Sequence, residues 1–380
     1  MKIAMIPEKG CLEYARAELR QRFGLEPAFA DETFLEADAS EETIIRIMYF
    51  GQSLKRVLLL VGRGKAGSLE DLEECISGNL EGLDLKKIIG GNSISVECQR
   101  AGEHDYNSVD AESVARNLLK EKTGCAVDLR TPGLVFFLYI EDEKYVFGLD
   151  LAGRDLSKRQ YKVFTNPVEL KGTIAFSFLM FSGYKPGMVF ADPFALSGTI
   201  PLEAALYESG VPVNYYSKQF DASKTSLFRK ESFERVYKEA DSAIRKPGKP
   251  LILSMDPLFR NVSAQKKNAK IAGVEKFVAF SRTDTDWLDI KMKEQKASLI
   301  CTKPLEPSRT VPERKAEESY KALFLRAKQV LGEKGFLCVV TVRPEFMLEQ
   351  ARNAGYKEVE TRVVWQGKQE LFFTRLETNE

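Results

Sequence analysis

The chain has 380 residues, 44% of them hydrophobic and 29% charged, a balance that excludes disordered and fibrous classes and implies two or three globular domains. Fifty-six basic residues meet 55 acidic ones, so net charge says nothing about nucleic acid and only local clusters can. A single histidine, six cysteines with no Cys-x-x-Cys pair, no bilayer-length apolar run and an opening "MKIAMIPEKG" unlike a signal peptide point away from metal and membrane and towards a reducing cytoplasm.

In chain order, a strand is expected at Lys2–Ile6 and a helix at Cys11–Phe23, with Leu12, Ala15 and Leu19 on one face. A second helix is expected over Ser40–Leu54, capped by Ser40, with Glu41 and Glu42 where the helix dipole favours negative charge. Residues 1–60 thus read as a small α+β domain. Residues 61–155 continue with helices at Ser68–Ser77 and Asp110–Thr123. Strands are expected at Ser93–Cys98, around Ala126–Leu129, and at Val135–Ile140 and Tyr145–Leu151. The polar, basic stretch "LAGRDLSKRQYKVFTNP", ending in Asn166-Pro167, contains a linker at 156–167.

From 168 onward strands alternate with helices, which predicts a parallel α/β sheet. Helix Leu170–Ser182 leads to strand 188–191 and helix Ile200–Ser209, then a polar excursion over 211–247. Strand Leu251–Met255, helix Val262–Ala272 and strands Lys276–Phe280 and Ser298–Thr302 follow. Helix Pro312–Leu331, strand Phe336–Val342 and an antiparallel pair, Glu358–Trp365 and Glu370–Arg375, close the chain.

In such a sheet ligands sit beyond the carboxyl ends of the strands, which singles out four turns. Asp192, Pro193, Ser197, Gly198 and Thr199 follow the first strand. Asp256, placed to accept from two ribose hydroxyls, follows the second. Asp284 follows the third, near where a base amine would lie, and "TKPLEPSR" follows the fourth. Turn capping is the other role open to Asp192 and Asp256, and "TKPLEPSR" also reads as a plain solvated loop. His104 reads as structural, Phe178 and Phe181 as core. With one histidine and no Gly-x-Ser-x-Gly, hydrolase chemistry lacks its parts, and without Gly-x-Gly-x-x-Gly a nicotinamide site does too.

"DPFALSGTIPLEAAL" resembles the first motif of S-adenosylmethionine-dependent RNA methyltransferases, Asp-Pro-x-Cys-Gly-Ser-Gly-Thr. "QKKNAKIAGV" (265–274) resembles their Asn-Ala-x-x-Ala-Gly helix. "RAGEHDYNS" (100–108) is similar to the Arg-x-Gly-x-His-x-Phe-x-Ser signature of the THUMP RNA-binding domain. "GRDLSKRQYK" (153–162) is similar to the linker that joins THUMP to the methyltransferase domain, and "KGCLEYARAEL" (9–19) to the opening of the ferredoxin-like domain before it. The resemblance runs along the chain in the order of THUMP-containing tRNA guanine-N2 and 23S rRNA methyltransferases.

That resemblance implies an N-terminal ferredoxin-like plus THUMP α+β module (1–60 and 61–155), the linker, and a Rossmann-like class I methyltransferase domain (168–380). It implies S-adenosylmethionine at the Asp192–Thr199 turn, Asp256 and Asp284, and tRNA or rRNA as partner. Arg100, Tyr106, Arg154, Lys158, Arg159, Tyr161 and Lys162 would face the RNA as phosphate partners and stacking rings. Two departures bear on chemistry. Leu196 stands where the family has the first glycine of its turn. Lys303, Pro304 and Glu306 occupy the place of Asn-Pro-Pro-aromatic, where Asn accepts from the target amine and the ring stacks on the base. Lysine has no acceptor, so Glu306 is the candidate substitute if the loop turns it inward. Transfer of methyl to a base amine, of the guanine-N2 type and slowed by these departures, is therefore the leading expectation, and a non-catalytic RNA-binding relative that keeps the fold as a scaffold is the alternative.

Overall fold

The computed structural model describes residues 1–29, 32–293 and 296–378, which divide into two compact units. Neither is continuous in sequence. One comprises 1–7, 19–156 and 217–239; the other comprises 8–18, 157–216 and 240–380.

The first unit holds strands β1 (Lys2–Pro7), β2 (Ala28–Phe29), β3 (Leu35–Asp38), β4 (Leu54–Lys65), β5 (Ile94–Ala101), β6 (Leu134–Glu141) and β7 (Lys144–Asp150). They form one sheet in the order β2-β3-β1-β4-β7-β6-β5, antiparallel except for β5 beside β6. With it go α2 (Glu41–Phe50), α3 (Leu69–Asn79), α4 (Leu85–Ile89) and α5 (Ser108–Thr123), while α1 (Leu12–Phe23) is divided between the units after residue 18. The central strand, β4, is a correction to the expected organisation. The helix expected to run to Leu54 ends at Phe50, and the boundary expected after residue 60 falls inside β4. Its first five residues are buried without alternation, as in a strand covered on both faces. Around Ala126–Leu129 there is no strand, only a bridge from Val127 to Ile94.

The second unit contains α6 (Gly172–Phe181), β8 (Phe190–Asp192), α7 (Thr199–Ser209), β9 (Ile252–Met255), α9 (Phe259–Ala272) and β10 (Val278–Ser281). After them come α10 (Leu288–Lys291), β11 (Ala297–Thr302), α11 (Glu313–Val330), β12 (Leu331–Thr341), α12 (Pro344–Asn353), β13 (Tyr356–Gln366) and β14 (Gln369–Thr378). Helix α8 (Lys230–Ser242) interrupts the stretch expected to be irregular, and most of it belongs to the first unit. The sheet order is β10-β9-β8-β11-β12-β14-β13, parallel through β12, with the expected antiparallel hairpin at the edge.

Successive strand residues serve opposite faces. Phe190, Leu299 and Cys301 join a core with Ile174, Phe178 and Leu202, whereas Ala191 and Ile300 join Leu323, Phe324 and Met347. Helices on both faces of a mostly parallel sheet make a doubly wound α/β domain, as expected. Strand order reverses between β8 and β11, and that switch point is where such folds open a crevice.

Candidate active site

Asp192 ends β8 at the switch point and is 1% exposed. Its Oδ1 accepts from the Thr302 hydroxyl at the end of β11 (2.6 Å) and from the Phe194 N–H (3.1 Å). It thus pins neighbouring strand ends together and starts the turn. Burial, with the negative charges of Asp256 and Glu169 adding to it, pushes its pKa up to about 7.

In the turn that follows, Leu196 has φ +49° and Gly198 φ +95°. The leucine thus holds a left-handed backbone that glycine adopts freely, at about 1–2 kcal/mol. Side chains from three elements hold the turn in place. Leu196 N–H donates to Asp256 Oδ2 (3.2 Å), and its carbonyl accepts from Gln265 Nε2 (2.8 Å). Ser197 N–H donates to Glu169 Oε1, and its carbonyl accepts from Asn268 Nδ2 (3.2 Å). Gln265 and Asn268 are both buried on α9, which explains two polar residues on its inner face.

Asp256, at the end of β9, also accepts from Leu258 N–H and Asn261 Nδ2, both at 2.9 Å. Burial raises its pKa against these hydrogen bonds. Three donors leave room at a carboxylate with about four lone-pair sites. Ser197 Oγ, Thr199 Oγ1 and Glu169 Oε2 are buried without a hydrogen-bond partner; Lys162 Nζ lies 3.5 Å from the last. Orphaned polar atoms flanking a switch-point turn fit a polar cofactor, despite the bulk of Leu196. Asp284 is exposed and caps a short 3-10 turn through the Thr285 N–H (2.7 Å).

The loop after β11 does turn Glu306 inward, but it leaves neither carboxylate oxygen unengaged. Oε2 accepts from Lys303 Nζ (2.9 Å), and Oε1 accepts from the Thr341 hydroxyl and from Val342 N–H (2.7 Å). Side-chain exposure is 13% for Lys303 and 9% for Glu306, and Pro304 is buried beside them. A closed ion pair therefore stands where the family pattern places an acceptor and a ring. An open depression of about 510 Å³ lies alongside, lined among others by Pro307, Arg309, Arg343 and Phe346.

Several residues expected to face RNA are interior. Arg159 lies on Glu203 in a two-pronged pair (Nε–Oε1 2.8 Å, Nη2–Oε2 3.2 Å), and the Tyr161 hydroxyl donates to the same carboxylate (2.7 Å). Their side chains cannot stack on or neutralise RNA from there. Lys162 donates to the Leu170 carbonyl (2.6 Å) and is 14% exposed, while Tyr106 is 7% exposed. Arg154 donates to the Gln219 and Ser217 carbonyls (2.7 and 3.0 Å), over the Phe220 ring. Arg100 is half-buried over Tyr106, and Lys158 is exposed. His104 bonds the Asp142 carbonyl (2.6 Å) and shapes its loop. The missed signal was Glu203 itself: a lone carboxylate in the otherwise apolar first turns of α7, "TIPLEAAL", needs a buried cation. Glu169, Gln265 and Asn268 were missed as turn supports, although the last two lie in the motif "QKKNAKIAG".

No helix among the described residues is long and apolar enough to cross a membrane, and no group of three His, Cys, Asp or Glu there is placed to hold a metal. The chain is 25% identical over 309 residues to a tRNA (guanine(6)-N2)-methyltransferase of Methanocaldococcus jannaschii, covering 78% of this chain and 79% of that one. It is 25% identical over 337 residues to the enzyme of the same name from Archaeoglobus fulgidus, covering 87% and 80%. The solved structure of SMU.472 complexed with SAH superposes with a TM-score of 0.80 at 18% identity, covering 100% of this chain and 98% of that one; at such identity the likeness speaks for the fold. Residues 159–370, more than half of the chain, match the family model UPF0020, RMKL-like methyltransferase domain. With the strand order, the switch-point turn and this match together, the chain belongs to that methyltransferase family.

Proposed function

We propose that this protein is a tRNA-binding member of the family that houses S-adenosylmethionine at the 192–199 turn and in which methylation of a base amine is suppressed. Ser197, Thr199 and Asp256 are the residues that would hold the cofactor, through the orphaned hydroxyls and the remaining acceptor capacity described above. When bound, S-adenosylmethionine supplies an electrophilic methyl carbon. The observation that carries the reading is Glu306, whose oxygens are engaged by Lys303, Thr341 and Val342. A base amine becomes a good nucleophile when an acceptor draws on its protons, and proton acceptance of that kind contributes about 10²–10⁴-fold. Lys303 offers only donors. RNA is held by the N-terminal module (1–60 and 61–155) together with the linker at 156–167, with Lys158 the one fully exposed basic candidate.

A second reading, a working guanine-N2 methyltransferase acting on tRNA or rRNA, is favoured by the names of relatives that span most of the chain. Single-turnover transfer of labelled methyl to total tRNA separates the two. Wild type is expected to retain tRNA yet transfer about a hundredfold more slowly than the double variant Lys303→Asn with Glu306→Tyr, which restores acceptor and ring. Brisk wild-type transfer that survives Glu306→Ala overturns the first reading in favour of the second.

A further inference from the structure

Between Asp256 and Glu275 the chain carries Arg260, Lys266, Lys267 and Lys270 and no acidic residue. Helix α9 spans most of this stretch. It buries Gln265, Asn268, Ala269 and Ala272 and turns Lys266, Lys267 and Lys270 to solvent on one face. None of these three lysines has an ion-pair partner among the described residues. The linker lies along the same helix. Phe164 exchanges two backbone hydrogen bonds with the Asn268 side chain (3.0 and 2.8 Å), and its ring, 38% exposed, lies 4.6 Å below Lys267 Nζ.

At the carboxyl end of α9 this strip opens into a cavity of about 360 Å³. Tyr161 and Gln160 come from the linker, Lys270 from α9, and Tyr215 and Tyr216 from the loop after α7. The two adjacent tyrosines stand edge to face with ring centroids 4.9 Å apart, and Tyr216 is 68% exposed. An exposed ring over a small cavity, approached by a row of unpaired lysines, has two complementary needs: a flat π-face and a run of negative charge. A single-stranded stretch of RNA supplies both, since bases stack on aromatic side chains while phosphates follow the cations.

We propose that the α9–linker strip is a second RNA contact, on the methyltransferase unit, in which an unstacked base enters the Tyr215–Tyr216 cavity and its flanking phosphates lie on Lys267 and Lys270. This rests on the RNA-binding reading above but adds Lys267 and Lys270 of α9 and Tyr215 and Tyr216 of the loop after α7, none of them assigned to RNA so far. It contributes affinity for unpaired nucleotides, independent of methyl transfer.

The test measures full-length protein binding to end-labelled oligouridylate and, separately, to total tRNA over a series of salt concentrations. Tyr216→Ala is expected to weaken oligouridylate binding about tenfold, and Tyr216→Phe to restore it, because the stacking face is what matters. Lys267→Ala with Lys270→Ala should reduce the slope of log oligouridylate affinity against log salt by about 1.4. All three side chains are exposed, so folding is not at stake. Retained tRNA binding with no binding of oligouridylate, or with binding indifferent to both sets of substitutions, overturns this site and leaves the general RNA reading standing. Failure of wild type to bind either RNA removes the general reading, and this one with it.

Discussion

A carboxylate with almost no contact with water, as at Asp192, keeps its proton to a higher pH than an exposed one. With a folded pKa of about 7 against an ordinary value of 3.8, the native state binds this proton more tightly than the unfolded chain does. The contribution to stability is therefore full below about pH 4 and is lost as pH climbs through about 7. Asp192→Asn keeps an oxygen for Thr302 and Phe194 but removes the charge. Relative to wild type it is expected to gain a few kcal/mol between about pH 4 and pH 8, since each tenfold difference in proton affinity between the folded and unfolded states is worth about 1.4 kcal/mol. Urea midpoints at about pH 5 and pH 8 check this, and an unchanged difference between variant and wild type at the two values would refute it. Part of this residue-level picture is legible in the sequence. The Asp-Pro start and the βα rhythm alone put Asp192 and Asp256 at strand ends. Their partners are not legible: Thr302 lies 110 residues away, and Leu196 lies 60 residues from Asp256. Glu306 turns inward, but its three donors include Thr341 and Val342 from a different strand end, which no local pattern announces.

Elements are legible where their period or their bounded apolar run is plain. Helix α5 lies close to where its pattern puts it, and strands β6 and β7, buried almost throughout, show as short apolar runs. Strand β4 opens on Leu54, the last residue of the expected helix, and its buried start carries Lys55 and Arg56 with no alternation to announce a strand. Helix α8 hides in a polar stretch, although Phe233, Val236 and Ala240 fall at i, i+3 and i+7 and are all buried. In α12 the signals are the Pro344 start and the Met347–Ala351 spacing. The linker departs from expectation through its alternation: in "KRQYK" Lys158 and Gln160 are exposed while Arg159 and Tyr161 are buried. The Arg159–Tyr161–Glu203 cluster ties the linker to α7, and removing one charge of a buried pair strands the other. Glu203→Gln is expected to destabilise by about 3–5 kcal/mol in chemical denaturation. Arg159→Met, Tyr161→Phe and Glu203→Leu combined should recover most of that loss, because no buried polar group is then left unpaired. If instead Arg159→Met leaves stability untouched and lowers RNA affinity, the surface role expected from sequence returns.

At the scale of the whole molecule, the compact units are assembled from separated pieces of chain, whereas segments read from sequence are contiguous by construction. Residues 217–239 illustrate the difference. They belong to the unit built mainly from 19–156, and there Tyr237 packs on Tyr49 with ring centroids 4.7 Å apart, Arg229 pairs with Glu41, and Arg235 pairs with Glu42. Asn92 and Lys224 also bind across the same unit, the Asn92 amide donating to the Lys224 carbonyl and Lys224 Nζ to the Gly133 carbonyl. The other unit draws in residues 8–18 in the same way: Tyr14 stands edge-on to Phe181 and tilted against Phe373, each at 6.1 Å, and Glu8 accepts from Lys171 (3.0 Å). Cutting the chain at residue 156 therefore takes from each part a segment that its own core was built around. A fragment of residues 1–156 exposes the buried Tyr49 and loses the helix that covers it, a loss of about 2–5 kcal/mol for each large side chain uncovered. Such a loss is comparable to the whole stability of a domain of that size. That fragment is expected to unfold without a sharp thermal transition, and adding residues 217–239 back through a flexible glycine–serine linker should restore one. Circular dichroism melts of the fragment, the linked fragment and the full chain decide it. A cooperative transition in the unlinked fragment, within a few degrees of the linked one, would show that the inserted segment is dispensable and that the contiguous division suffices.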